Sequence, residues 1–204
     1  MKITAIRETT VALAAPMRNA DIAFDAMTAS AVAVFTDRIV DGRPLAGLGF
    51  DSIGRYGHGG LLRERFIPRL LAAKPEDYAS ERGDAIDPLR AWAVMMRNEK
   101  AGGHGERAGA VGVLDAALWD LAAKAEGKPL WRVLADRFNG GTAPARVPTY
   151  ASGGHYRDGL PRGADEADAI AAELSSYRAL GYTQFKIKVG GAALGRDKAR
   201  IEAA

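Results

Sequence analysis

The sequence predicts an α+β domain followed by the start of a domain with parallel β/α architecture. Strand-like segments come first and helical segments follow up to about residue 141, whereas strand and helix alternate with short loops from residue 142 onward. The first order is typical of an α+β domain, and the second is typical of a parallel sheet or barrel. We therefore predict two domains, 1–141 and 142–204, with the boundary in the Asn139-Gly140-Gly141 turn.

Three strands are predicted at the start of the chain. The strand-like segments cover residues 2–11, 30–36 and 45–50. Asp41-Gly42-Arg43-Pro44 supplies turn residues between the last two, so these two strands are predicted to form a hairpin. The expected product is a three-stranded antiparallel sheet.

The helical segments after the sheet are recognised by apolar residues at three-to-four spacing. The first helical segment begins near residue 59, and Pro68 is expected to kink it. The later helical segments cover 88–96, 106–126 and 130–134. Asp87 and Pro88 are typical of an N-cap and a first-turn proline. Gly127 is expected to end the longest helix as a C′ glycine.

The second domain is predicted to contain two strands and two helices. Residues 147–150 and 184–189 are strand-like, and residues 166–180 and those from about 195 onward are helical. A parallel sheet needs more strands than two, with helices on both faces, to be buried. We therefore expect the chain to end inside an incomplete domain at Ala204.

Composition excludes several classes of function. The formal charge is +3, but basic and acidic residues are interspersed, so no nucleic-acid surface is expected. The apolar run 11–15 is too short to cross a membrane or to act as a secretion signal.

The chain has no cysteine, which excludes disulfides and thiolate sites. We expect a cytoplasmic protein that acts on a small molecule.

The most informative stretch is Phe185-Lys186-Ile187-Lys188-Val189. Side chains alternate along a strand, so the two lysines share one face. On an antiparallel strand that face would simply be solvated, but after a crossover helix the apolar face must receive the helices, and the lysines then point into the sheet or barrel. Two ammonium groups held close together disfavour each other's charge, which lowers one pKa and produces a base.

A Lys-x-Lys at the end of a second parallel strand, preceded by an α+β domain, resembles the enolase superfamily. The helix 111–121, which contains Asp115 and Trp119-Asp120 and runs into 127–130, is typical of the mandelate racemase and muconate lactonizing group. The likeness covers essentially all 204 residues. It implies an α+β capping domain followed by a (β/α) barrel that is truncated after its second strand.

The resemblance also implies a chemistry. Lys188 would abstract the proton beside a substrate carboxylate, while Lys186 would face that carboxylate and lower the pKa of its neighbour. Such enzymes use Mg²⁺, and its ligands and the partner acid are expected beyond residue 204. The fragment alone is expected to be inactive, and the full-length enzyme is expected to be a homo-oligomer.

Within the superfamily, segments 49–66, 18–20 and 98–107 resemble the D-tartrate dehydratase branch. By that likeness Asn19 and Lys100 would contact the substrate, an amide for hydroxyls and a cation for a distal carboxylate. Asp51 and Ile53 stand in a substrate-selecting loop where the branch tends to carry amides. A related acid sugar is therefore nearly as good a candidate substrate as tartrate.

Other interpretations remain open at this point. A racemase, epimerase or cycloisomerase would begin with the same proton abstraction as a dehydratase. The chain would be a non-catalytic module if no metal site can be assembled on it. Residue by residue, the alternative to a substrate contact is a turn residue for Asn19 and a solvated charge for Lys100.

Overall fold

The computed structural model describes residues 1–51, 57–102, 105–157 and 166–204. The chain forms two compact units, one of residues 1–12 and 27–143 and one of residues 13–26 and 144–204. The inclusion of residues 13–26 in the second unit was not predicted. Its cause is a backbone pairing between Arg18 and Tyr156, whose two N–H···O distances are 3.0 and 2.9 Å.

The first unit contains the predicted antiparallel sheet, with strands in the order β1 (Ile3–Ala12), β2 (Thr28–Val40) and β3 (Arg43–Phe50). The predicted four-residue turn is wrong in extent, because Arg43 and Pro44 already belong to β3. Asp41 and Gly42 make the turn alone, with φ of +50° and +74°. Positive φ at both positions is the backbone of the tight two-residue turns that match strand twist.

The helices of the first unit come after the sheet. They are α1 (His58–Leu61), a π-helical segment (Leu62–Phe66), α2 (Ile67–Ala72), α3 (Pro75–Tyr78), α4 (Pro88–Met95), α5 (Arg107–Ala125) and α6 (Leu130–Phe138). The predictions for α4 and α5 are confirmed, and α6 continues beyond the predicted end at residue 134. The kink expected at Pro68 takes another form: Pro68 lies in the first turn of α2, where a missing N–H costs little.

Helix α5 packs directly on the inner face of the sheet. Leu45, Gly47 and Gly49 alternate along β3 and are all buried. A Cβ on Gly47 would lie 2.0 Å from the carbonyl oxygen of Ala117, and one on Gly49 would lie 2.2 Å from that of Val113. The two glycines therefore set the separation between helix and sheet, and the buried core of this unit forms around that contact.

The same helix covers the open edge of β3. Leu48 donates its backbone N–H to the Asp120 carboxylate at 2.8 Å, and the Lys124 ammonium donates to the Ala46 carbonyl at 3.1 Å. Asp120 and Lys124 pair with each other at 2.6 Å. Side chains thus take the place of a further strand at this edge, which limits pairing with other chains.

A buried carboxylate ties the helices of the first unit together. Glu99, whose side chain is 1% exposed, pairs with Arg69 at 2.7 Å, Arg65 at 2.8 Å and Arg107 at 3.2 Å. Burial raises the pKa of Glu99, but the arginine hydrogen bonds and charges outweigh it and hold the pKa below its ordinary value. The cluster joins α2 and the start of α5 to the loop after α4.

The second unit consists of β4 (Ala151–Ser152), α7 (Glu166–Ala179), β5 (Phe185–Lys186) and α8 (Leu194–Glu202), with a short 3₁₀ turn at Phe24–Ala26. Strands β4 and β5 are parallel, as predicted, with Ala151 opposite Phe185 and Ser152 opposite Lys186. The predicted strand 147–150 is wrong and the strand 184–189 is shorter than predicted. Each strand pairs only with the other among the described residues, so regular pairing stops where that partner ends.

Replacing Gly47 with alanine tests the contact between α5 and β3. The added methyl would overlap the α5 backbone, so we expect the free energy of unfolding to fall by about 3 kcal/mol. Gly112→Ala is the control, because its Cβ would meet no described atom within 4 Å and alanine favours a helix by about 0.5–1 kcal/mol. Urea denaturation of both variants measures the difference. Equal stability of the two variants would contradict the packing described.

Replacing Glu99 with glutamine would leave three arginines around a neutral amide. We expect a loss of about 3–5 kcal/mol in the free energy of unfolding at neutral pH, and little change for the exposed control Glu64→Gln. Because the folded pKa of Glu99 lies below its ordinary 4.5, its contribution is present above that pH and is lost as the pH falls. Chemical denaturation at several pH values checks this. A Glu99→Gln variant as stable as the parent would refute it.

Candidate active site

The two lysines lie at the carboxyl end of the parallel strand β5. Lys186 pairs with Ser152, and its carbonyl accepts from the Gly153 N–H at 2.9 Å. The Lys188 N–H donates to the Gly154 carbonyl at 3.3 Å, just past the end of regular pairing. Lys186 is exposed and Lys188 is half-buried. Both therefore belong to the end of a parallel strand at which α/β enzymes place their chemistry.

The electrostatics of the pair distinguish the two lysines. Burial lowers the pKa of Lys188, and its contact with the Lys186 ammonium lowers it further. The effect of Lys186 on Lys188 agrees with two lysines that are separated by one residue at the end of a strand. A lysine with a lowered pKa holds a larger share of the neutral amine at neutral pH, and the neutral amine is the form that accepts a proton.

His155 is a third titratable group in this region, and the sequence did not single it out. It comes after Gly154 at the end of β4, is half-buried, and its ring meets Phe24 edge-on at 5.9 Å. Burial lowers the pKa of His155, and the charge of Lys188 lowers it further. The available signal was its place after a glycine pair at the end of the first parallel strand.

A buried polar cluster supports the ends of β4 and β5. Tyr156 donates its hydroxyl to Asp197 at 2.5 Å and accepts the Gly191 N–H at 2.9 Å. Asp197 also accepts the Gly190 N–H at 2.7 Å, so the loop after Lys188 is fixed to helix α8. Arg200 lies over the Tyr156 ring at 4.1 Å. Tyr156, Asp197 and Arg200 are buried, and their contacts hold the backbone at this end of the second unit.

Asn19 lies in the second unit, in the segment that pairs with Tyr156. Its side-chain oxygen accepts the N–H groups of Asp21 at 2.9 Å and Ile22 at 2.7 Å. This arrangement is an Asx turn, the structural role that was the alternative to substrate binding. The oxygen is therefore engaged, and substrate binding by Asn19 stays a prediction.

Asp51 lies in the first unit at the end of β3. Its carboxylate accepts the Ser30 N–H at 2.8 Å and contacts His58 Nδ1 at 2.7 Å. The other ring nitrogen of His58 lies 3.1 Å from Glu106. Asp51 thus anchors the start of α1, which supplies a structural reason for a carboxylate here. The other predicted residue of this loop, Ile53, lies outside the described residues.

Lys100 also lies in the first unit and is exposed. Its backbone carbonyl accepts from Arg107 at 2.8 Å, so the loop after α4 is tied to the buried Glu99 cluster. The side chain is presented from a fixed backbone. Its role as a cation for a substrate carboxylate stays a prediction.

The described residues do not fit a magnesium site of their own. No group of three or more His, Asp or Glu side chains in this part of the chain is arranged to hold a metal ion. The expectation that the ligands lie beyond residue 204 stays a prediction. Across the same residues, no helix has the length and apolarity needed to cross a membrane.

Curated proteins that resemble the chain in sequence are dehydratases. D-galactonate dehydratase of Xanthomonas campestris pv. campestris (strain B100) is 35% identical over 103 residues, which cover 49% of this chain and 23% of that protein. Arabinonate dehydratase of Saccharolobus solfataricus is 29% identical over 96 residues, covering 47% and 22%. Cis-3-hydroxy-L-proline dehydratase of Roseibium aggregatum is 37% identical over 78 residues, covering 38% and 17%. Each match spans less than a quarter of the relative.

Solved structures match the chain over its whole length. A mandelate racemase/muconate lactonizing enzyme-like protein from Rubrobacter xylanophilus has a TM-score of 0.67 and 26% identity, covering 100% of this chain and 50% of that chain. An enolase from Bradyrhizobium, complexed with magnesium and mandelic acid, has a TM-score of 0.67 and 22% identity, covering 99% and 49%. The chain thus spans about half the length of these structures.

No family model matches the chain. The fold, however, agrees with the solved structures across both units, and the sequence agrees with sugar-acid dehydratases over about half of the chain. The resemblance predicted from the lysine pair and the α5 segment is confirmed. The chain resembles the mandelate racemase and muconate lactonizing enzyme group of the enolase superfamily in fold, and its sugar-acid dehydratases in sequence.

Proposed function

We propose that a protein carrying this chain together with a complete (β/α) barrel is a magnesium-dependent dehydratase of a hydroxy acid. Lys188 removes the proton beside the substrate carboxylate, and Lys186 faces that carboxylate. The observation that carries the proposal is the position of Lys186 and Lys188 at the carboxyl end of a parallel strand, where Lys188 is half-buried and its pKa is lowered by burial and by Lys186. The dehydratase relatives support the choice of reaction.

The proposed reaction fits the two lysines. Lys188 in its neutral form takes the α-proton, and the electron pair of the broken C–H bond passes into the carboxylate as an enediolate. That pair then expels the hydroxyl of the next carbon, which leaves as water once protonated, and the enol product becomes a 2-keto acid. The Lys186 ammonium offsets the growing negative charge on the carboxylate. The proposal assigns magnesium and the acid for the leaving hydroxyl to residues outside the described part of the chain.

An acid sugar is the preferred substrate class. The relatives are named for galactonate and arabinonate, whereas the resemblance to the tartrate branch rests on loop segments of this sequence. Asn19, Lys100, Asp51 and Ile53 stay proposed substrate contacts. With its side-chain oxygen in a turn, Asn19 offers its amide nitrogen to a substrate hydroxyl. We also propose that the whole protein is a homo-oligomer.

Racemisation or epimerisation is the second candidate, because it begins with the same proton abstraction. Structures of the same fold include an N-succinyl Arg/Lys racemase from Bacillus cereus ATCC 14579, with a TM-score of 0.64 and 23% identity over 100% of this chain and 48% of that chain. The two reactions differ in product. A dehydratase forms a 2-keto acid, whereas a racemase returns the substrate with inverted configuration.

Replacing Lys188 with methionine tests the proposed base. In the barrel-containing protein we expect kcat on the preferred acid sugar to fall by about 10²–10⁴-fold, because general base catalysis contributes that much. The control is Lys198→Met, an exposed lysine of α8, which should leave kcat unchanged. Formation of 2-keto acid across a panel of acid sugars and tartrates is the measurement. Full activity of Lys188→Met would reject the assignment of the base.

Replacing Lys186 with methionine tests the electrostatic role of the pair. Removing the neighbouring ammonium raises the pKa of Lys188, since one of the causes that lower it disappears. The rate depends on the neutral amine, so the rising limb of log(kcat/KM) against pH should move to higher pH. The position of the limb, rather than the maximal rate, is the measurement. An unmoved limb would show that the two ammonium groups do not act on each other.

A further inference from the structure

Arg200 of helix α8 is a charged side chain buried at the ends of both parallel strands. The residue is 1% exposed. Its Nη2 donates to the Gly154 carbonyl at 2.6 Å and to the Lys188 carbonyl at 3.2 Å. One guanidinium nitrogen therefore bridges the loop after β4 and the lysine just beyond β5.

This bridge holds the backbone of Lys188 beyond the point where the hydrogen bonds of the sheet end. Regular pairing of β5 ends at Lys186, and the Lys188 N–H makes a longer bond of 3.3 Å to the same Gly154 carbonyl that accepts from Arg200. Both backbone polar groups of Lys188 are thus held by the Gly154 carbonyl and the Arg200 side chain. Beyond the regular pairing, the backbone of Lys188 is therefore held by the loop after β4 and by the Arg200 side chain.

The guanidinium is itself held in place on several sides. It stacks on the Tyr156 ring at 4.1 Å, its Nη1 lies 3.3 Å from Glu166, and its Nε lies 3.7 Å from Asp197. Two carboxylates therefore offset its charge in a buried setting, where an unpaired guanidinium would be costly. An arginine in this position presents several N–H donors in one fixed plane.

We propose that Arg200 is a positioning residue that fixes the main chain of Lys188 and thereby holds the Lys188 side chain beside Lys186. The importance of Arg200 for catalysis rests on the proposed function, whereas its effect on the position of Lys188 does not. Lysine in its place would keep the positive charge, but a single ammonium nitrogen on a flexible stem cannot reproduce the planar fork. Arg200→Lys therefore distinguishes the effect of positioning the Lys188 backbone from the effect of a positive charge at this site.

The matched control is Arg196, one turn earlier on α8. It pairs with the same Glu166 carboxylate at 2.7 Å but is exposed, and its side chain extends to Glu166 instead of the strand ends. Arg196→Lys is the same substitution as Arg200→Lys, and it also affects an arginine that pairs with Glu166. Any effect that arises only from the Glu166 pair would appear in both variants.

The test is a titration of Lys188 by NMR, with ¹³C-labelled lysine, in the parent chain and in both variants. In Arg200→Lys we expect the Lys188 midpoint to move to higher pH, because a loosened strand end gains water and draws away from Lys186. In Arg196→Lys we expect no movement. Identical Lys188 titration in Arg200→Lys and the parent would overturn the proposal.

Amide hydrogen exchange provides the second readout. We expect the Lys188 amide of Arg200→Lys to exchange faster than in the parent, while the Gly153 amide, bonded to Lys186 within the regular pairing, stays protected. Loss of protection at both amides would mean that Arg200 only maintains the fold, which would also overturn the proposal. Neither readout depends on turnover, so an inactive enzyme with the expected titration would reject the dehydratase function alone.

Discussion

Two ammonium groups on one side of a short strand repel each other, and the chemistry proposed for this chain depends on that repulsion being sustained by the fold. In water the side chains would separate and the repulsion would vanish. Here Lys186 is the last residue of β5, Lys188 follows it with one residue between them, and Lys188 is half-buried. Burial and the neighbouring charge act in the same direction on Lys188, so the neutral amine becomes available at a lower pH than for a solvated lysine.

The second unit sustains this arrangement with few regular hydrogen bonds. Only two residues of each strand pair in the described structure, and polar side chains from α8 fix the backbone beyond the strand ends. Arg200 holds the carbonyl of Lys188, and Asp197 holds the loop after it. The rest of the polar network consists of connected buried groups, which gives a defined geometry that a short ladder alone would not provide.

Sequence periodicity predicted the elements that depend on local rules. Alternation of side chains in any strand predicts that the two lysines share one side, and the C′ glycine rule predicts the end of α5 before Gly127, which has a φ of +65°. Other features of the fold depend on contacts between residues that are distant in sequence. The pairing of Arg18 with Tyr156 has no signature in the local sequence, so the sequence does not predict that residues 13–26 group with residues 144–204. The extent of β4, the surroundings of His155 and the position of Arg200 likewise depend on neighbours that are distant in sequence.

The repulsion between the two ammonium groups is tested most directly by titrating the Lys188 amine in the unmodified chain, monitored by the ¹³C chemical shift of its ε-carbon. We expect a midpoint below the ordinary lysine value of 10.5, together with a response of the Lys188 signal to the ionisation of Lys186. A midpoint at or above 10.5, with the two signals titrating independently, would contradict it.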